Sequence, residues 1–235
     1  MARTRNSLGE YSGTVGKEIH YNRFGRTYVR RQPGGYNDQG SEAQLRQRAL
    51  FKTRQRLSAL YGTVLQRGLT KEAHQEGMTE ANYFSRLNSH LFVYEDGEVH
   101  VSYGDLLLAR GPLPVVGVTG FRAEGLQVEV TYSPNLDHFR AHSDDVVHFY
   151  AVSPEAEYCN LMASVERPVG HVAFALPDLS NDGKLKPTFY IYAIVESAVT
   201  AYIPTLSADE KRVHKRHRNI DRTVSISVHV GTVKG

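Results

Sequence analysis

The sequence predicts a mainly β chain of the α+β class: an N-terminal β-hairpin, two helices, then an antiparallel β-sandwich. Three observations carry this. "IHYNRFGRTYVRR" (19–31) places Tyr, Ile, Thr and Val on both sides of a Gly-containing turn. Apolar residues recur at helical spacing between positions 57 and 65. From about Tyr94 the period changes to two, in short runs separated by Pro, Gly and Asp.

The hairpin follows "GEYSGTVGKE" (9–18), which invites a phosphate-loop reading. The spacing excludes it. A P-loop needs Gly, four residues, then Gly-Lys-Ser/Thr. Here Gly16-Lys17 is followed by Glu18, Tyr11 stands where the first glycine belongs, and no helix follows. The glycines are read as bends before the hairpin, with Gly25 taking positive φ in its turn.

"QPGGYNDQG" (32–40) is a loop by composition. Ser41 and Gln44 match a capping box that opens a helix running to about Arg67. Leu57, Leu60, Tyr61, Val64 and Leu65 form its apolar face, and Gly68 is its stop. Thr79 caps a second helix with Tyr83, Phe84, Leu87 and Leu91 on one side.

In the β region, "LQVEVTY" alternates Leu126, Val128, Val130 and Tyr132 against polar residues. "VSISVHV" does the same with Val224, Ile226, Val228 and Val230. With "DDVVHFYAVS", "HVAFALP" and "PTFYIYAIVES", this pattern predicts about seven strands in an immunoglobulin-like arrangement. The reading divides the chain into a basic hairpin and helical arm (1–93) and a sandwich (94–235), the latter interrupted by a basic insertion at 207–222.

With 235 residues and 40% hydrophobic content, the chain can form a substantial core. Cys159 is the single cysteine, so no internal disulfide forms. No apolar run approaches the roughly 18 residues of a membrane span. "MARTRNSLGEY" lacks the apolar core of a signal peptide, so synthesis in, and retention by, a cytoplasm is expected. The net charge of +3 is uneven: residues 1–67 carry 13 Lys+Arg against 4 Asp+Glu, and residues 68–235 carry 15 against 21. Such an imbalance suits an anionic partner or attraction between subunits.

Chemistry-bearing motifs are sparse. His138 and His142 stand four apart near Asp137, Asp144 and Asp145, but in a loop context without an HExxH glutamate, so a solvated polar connection is expected and no metal. Cys159 is read as a buried structural thiol. No nucleophile elbow, paired cysteines or dinucleotide fingerprint is present, and neither an enzyme nor a cofactor is expected. The basic residues are the stronger signal. Tyr21, Arg23, Phe24, Arg26, Tyr28, Arg30 and Arg31 are the expected assembly contacts of the hairpin. Arg46, Arg48, Lys52, Arg54 and Arg56 on the helix, with Lys211, Arg212, Lys215, Arg216 and Arg218 in the insertion, are candidates for an anion such as nucleic acid.

Several of these segments occur together in a recognisable order. The Gly-rich hairpin (Gly9, Ser12, Gly13, Val15, Gly16, Gly25 and Arg30) is followed by Gln44, Arg48 and Phe51 on one helix, then by Met78 and Asn82. In this order the chain resembles a family of Bacteroidetes proteins catalogued as a domain of unknown function. It departs from that pattern at Phe24, where a Trp is expected, and in "NDQGS" before the helix. The resemblance implies an architecture, a hairpin-helix module joined to a sandwich, and no activity.

The expected function is a structural one: a repeated subunit of a virion, a phage-like particle or a filament, docking through its N-terminal arm onto itself or other subunits. An arm of roughly 90 residues buries little core alone. Nucleic-acid binding through the basic third is the alternative, marked by steep salt dependence.

Overall fold

The computed structural model describes residues 3–4, 11–23, 26–34, 38–179, 187–197 and 223–234. Phe24 and the whole 207–222 insertion, with Lys211, Arg212, Lys215, Arg216 and Arg218, lie outside the described residues. The chain divides into two compact units, Met1–Leu45 and Arg46–Gly235. The sequence reading drew a boundary at residue 93, whereas the contact division falls in the first turn of a helix.

The first unit is an antiparallel sheet of four strands in sequential order: β1 (Arg3–Thr4), β2 (Tyr11–Val15), β3 (Glu18–Arg23) and β4 (Arg26–Arg31). The expected hairpin is β3–β4, paired from Glu18↔Arg31 to Arg23↔Arg26. The preceding glycine-rich stretch is more than bends. It forms β2 and joins β3 through the two-residue loop Gly16-Lys17, in which Gly16 takes φ +59°. The capping box forms as expected: Ser41 N–H donates to Gln44 Oε1 at 3.1 Å, and Gln44 N–H donates to Ser41 Oγ at 3.4 Å.

The expected long helix is two helices, α1 (Glu42–Leu60) and α2 (Gly62–Gly68), separated at Tyr61. Its apolar face is correct: Leu57, Tyr61, Val64 and Leu65 are buried. Gly68 is the last residue of α2, as expected, and it also has a packing role. A Cβ there would lie 2.5 Å from Ala109 Cβ and 2.6 Å from the Leu108 carbonyl, so the glycine permits close passage of the 108–110 segment. A short helix absent from the sequence reading, α3 (Thr70–Gln75), precedes α4 (Glu80–Leu87). Thr79 caps α4, its side chain accepting from Asn82 N–H.

A small hairpin, β5 (Phe92–Glu95) and β6 (Glu98–Val101), leads into the main β region. Seven further strands follow: β7 (Gly117–Glu124), β8 (Gln127–Ser133), β9 (Val146–Ser153), β10 (Tyr158–Glu166), β11 (His171–Ala175), β12 (Thr188–Glu196) and β13 (Val228–Lys234). They form a three-stranded sheet, β11-β8-β7, and a four-stranded sheet, β10-β9-β12-β13, with every pair antiparallel.

Two core clusters flank the four-stranded sheet. One unites Val128 and Val130 of β8 and Phe174 of β11 with Val147 and Phe149 of β9 and Phe189 and Ile191 of β12. The other unites Leu57, Val64, Leu65 and Phe84 of the helices with Tyr150 and Val152 of β9 and Tyr192 and Ile194 of β12. This explains two sequence textures. The strand β8 alternates exposed and buried because it has one core face. The strand β9 is buried along nearly its whole length, His148 and Ser153 included, because helices cover its second face.

The expected strand over 224–230 begins only at Val228. Its first half inverts the expected faces: Ser225 and Ser227 are buried and Ile226 is 45% exposed. The serines turn inward because their hydroxyls satisfy buried backbone. Ser227 Oγ accepts from Leu108 N–H at 2.8 Å, and Ser225 Oγ accepts from Val195 N–H at 3.0 Å. The 138–144 segment is a solvated connection, with His138, His142 and Asp144 exposed, but it ends on Asp145, which is fully buried and paired with Arg167.

Candidate functional site

Of the hairpin residues expected to make contacts, Tyr21, Tyr28, Arg30 and Arg31 are described on the exposed surface of the first unit's sheet. Tyr21 and Tyr28 are cross-strand partners. Their rings stack with centroids 5.4 Å apart, and each remains 39% exposed. Alternation along the strands places Ile19 and Arg30 on the same face as this pair, and His20, Val29 and Arg31 on the other. Arg23 and Arg26 are partners at the turn end. None of residues 13–22, 27–34 and 38–45 of this unit is buried, and Val15 and Val29 are each more than half exposed. Lys17 and Arg31 line an open surface concavity with Gln32, Pro33 and Gly34.

The basic helix residues do not form one surface. Arg46, Arg48 and Lys52 are exposed on α1. Arg54 instead donates to the Ser89 carbonyl at 3.1 Å and lies over the Phe92 ring, 5.2 Å from its centroid. Arg56 pairs with Glu157 at 2.6 Å, and Arg67 pairs with Glu196 at 3.3 Å. Part of the charge imbalance is therefore met inside one chain. Counted over the structural units, the first 45 residues carry seven Lys+Arg against four Asp+Glu, and the rest carry twenty-one of each.

His138 stacks against the exposed Phe139 with centroids 4.7 Å apart, and its Nδ1 accepts from Arg140 N–H. Among the described residues, no three His, Cys, Asp or Glu side chains converge as a metal site. Cys159 lies in β10, where burial pushes the pKa of its thiol up to about 12. At that value the thiolate is scarce at neutral pH.

A second group of polar side chains was not visible in the sequence. On the helix-facing side of the four-stranded sheet, Arg67 of α2 donates from Nη1 to the Tyr150 hydroxyl at 2.9 Å as well as pairing with Glu196. The same Glu196 oxygen lies 3.2 Å from His148 Nε2. His148 Nδ1 is 2.8 Å from Ser164 Oγ. The side chains of His148 and Glu196 are only 10% and 13% exposed, whereas Ser164 is exposed. Beside them is a cavity of about 120 Å³ lined by Thr63, Val64, Arg67, Tyr150, Cys159, Asn160 and Leu161. Burial raises the Tyr150 hydroxyl pKa above its ordinary value, and Arg67 offsets part of that shift. The four members Arg67, His148, Ser164 and Glu196 come from four elements, so no spacing pattern announces them. Only the alternation of His148 with Tyr150 on one strand hints that they share a face.

No protein-family model matches this chain, and no curated protein or solved structure matches it either.

Proposed function

We propose that the protein is a structural subunit that associates with further copies of itself, docking through the N-terminal sheet. The observation that carries this reading is that none of residues 13–22, 27–34 and 38–45 of the first unit is buried. An isolated small sheet is marginal in water unless one face is covered. This one exposes a stacked tyrosine pair, two valines and an edge strand, β4. An open edge is a template for strand addition by another chain. With a net charge of only +3 in this unit, apolar burial and backbone pairing hold the contact, while Lys17, Arg30 and Arg31 steer it.

The second unit is read as an immunoglobulin-like sandwich. Support comes from the division of β7–β13 into sheets β7-β8-β11 and β13-β12-β9-β10 around a common core cluster. Such a body supplies the stable mass of a repeating particle or filament subunit, a step that rests on architecture.

Size-exclusion chromatography with light scattering tests the reading on the full chain and on a Tyr21→Ser/Tyr28→Ser variant. The full chain is expected as an oligomer and the variant as a monomer with unchanged circular dichroism. A monomeric full chain at all concentrations refutes self-association. Co-elution with added DNA, lost steeply with salt, replaces it with phosphate binding.

A further inference from the structure

We propose that Ser164 is a nucleophile activated by His148 and oriented through Glu196, and that it takes the acyl group of short-chain esters. The reading is independent of N-terminal docking, since every residue in it belongs to the second unit.

The geometry assigns each role. Glu196 is an acceptor, so its contact with His148 Nε2 places the ring proton on that nitrogen. The lone pair of Nδ1 is then directed at Ser164 Oγ, 2.8 Å away, where it receives the hydroxyl proton. A nucleophile within hydrogen-bond reach of a base, itself oriented by a third group, is the arrangement that activates serine. Arg67 shares the same Glu196 oxygen, holding the carboxylate in place and compensating its charge.

An ordinary cross-strand Ser–His contact is the simpler account, and the register argues against it. Leu161 pairs with Tyr150, but Ala163 pairs with Phe149 and Ser164 with His148. One extra residue is therefore inserted at Met162. Without this bulge Ala163 would stand opposite His148. The bulge delivers the one side chain of the pair able to react, and bulges recur where a strand re-aims a functional residue. The strand β10 is also the edge of its sheet, so Ser164 is open to a ligand.

Substrate class follows from the neighbouring cavity, which shares Arg67 and Tyr150 with this group. A volume of about 120 Å³ admits a short acyl chain. In the reaction, the Ser164 Oγ lone pair forms a bond to the ester carbonyl carbon as its proton moves to His148 Nδ1. The carbonyl π pair moves to oxygen, then returns and expels the alcohol oxygen, which takes the proton from His148. Water repeats the sequence on the acyl-serine. It releases the carboxylic acid and restores the Ser164 hydroxyl.

The test uses the full chain, a fluorophosphonate probe with peptide mapping, and p-nitrophenyl acetate hydrolysis. Labelling is expected at Ser164 and absent in Ser164→Ala, an exposed substitution that leaves both cores intact. His148→Gln, with folding checked by circular dichroism, is expected to slow labelling and hydrolysis about 100-fold or more, the usual contribution of a positioned base. The proposal is overturned if the full chain labels and hydrolyses no faster than Ser164→Ala, or if the label falls on another residue. It is equally overturned if folded His148→Gln labels at the unsubstituted rate.

Discussion

Arg167 and Asp145 form an ion pair with both side chains fully buried, guanidinium Nη1 lying 3.2 Å from carboxylate Oδ2. Two further donors of Arg167 are committed: Nε to the Pro134 carbonyl at 2.6 Å and Nη2 to the Pro114 carbonyl at 2.9 Å. One planar side chain thus ties the segments before β7, after β8 and before β9 to the end of β10. Removing it leaves a buried carboxylate without compensation, so Arg167→Ala is expected to destabilise the second unit by about 3–5 kcal/mol. Arg167→Lys is expected to recover little, because an ammonium cannot span three acceptors in a plane. Urea denaturation of the three proteins decides this. A loss under about 1 kcal/mol for Arg167→Ala contradicts the role.

Two glycines of the helical region make a paired test. A Cβ at Gly68 would penetrate Ala109 and the Leu108 carbonyl, whereas one at Gly62 meets nothing within 4 Å. Both residues lie in α2. Gly68→Ala is expected to cost about 1–3 kcal/mol through overpacking. Gly62→Ala is expected to stabilise by about 0.4–1 kcal/mol, by restricting the unfolded chain. Thermal melts should move in opposite directions. Shifts of the same sign would show that the 108–110 segment does not press on α2.

The contrast between these glycines also shows what a sequence can disclose. Local periodicity was sufficient for the helix face at Leu57, Tyr61, Val64 and Leu65 and for the alternation of β8, because each depends on one core surface. It misread residues 224–227, where buried serine hydroxyls satisfy N–H groups 30 and more than 100 residues away. It gives Gly68 correctly as the end of a helix but not its packing role, since the approach of Ala109 is a tertiary fact. The Arg67–Glu196–His148–Ser164 group was hidden for the same reason, and additionally because its register depends on a bulge. In the hairpin, the strand-turn-strand pattern is legible around "RFGR", while the Tyr21–Tyr28 pairing is a matter of register that the structure supplies.

Association through the N-terminal sheet should be only mildly sensitive to salt. Exposed ion pairs are worth about 0–1 kcal/mol each, and the screening length is already about 8 Å at 0.15 M ionic strength. Raising salt from about 0.05 to 0.5 M is therefore expected to slow association several-fold and leave formed oligomers intact. Tyr21→Ser/Tyr28→Ser should instead dissolve them. Stopped dilution followed by light scattering separates rate from extent. Oligomers that dissolve at modest salt would show that charge, rather than the tyrosine face, holds the contact.

Alkaline pH should unfold the second unit through its helix–sheet core. Burial raises the pKa of Tyr61, Tyr192 and Cys159, in each case as the main cause, with the thiol reaching about 12. All three are neutral when protonated, so the folded state holds these protons more tightly than the unfolded state does. The sign follows: stability is unaffected below the unfolded values of about 8.5 for cysteine and 10 for tyrosine, and declines as pH rises beyond them. Each group adds a slope of up to about 1.4 kcal/mol per pH unit until its folded pKa is reached. Denaturation at pH 8, 9, 10 and 11 is expected to show a plateau followed by a steepening fall. Tyr61→Phe is the diagnostic variant, because the Tyr61 hydroxyl is buried without a hydrogen-bond partner and its removal leaves no acceptor unsatisfied. It should be as stable as the unsubstituted protein or more so at pH 8, and lose less stability at pH 11. An unchanged alkaline slope in this variant would mean that Tyr61 ionises only after the core has already opened.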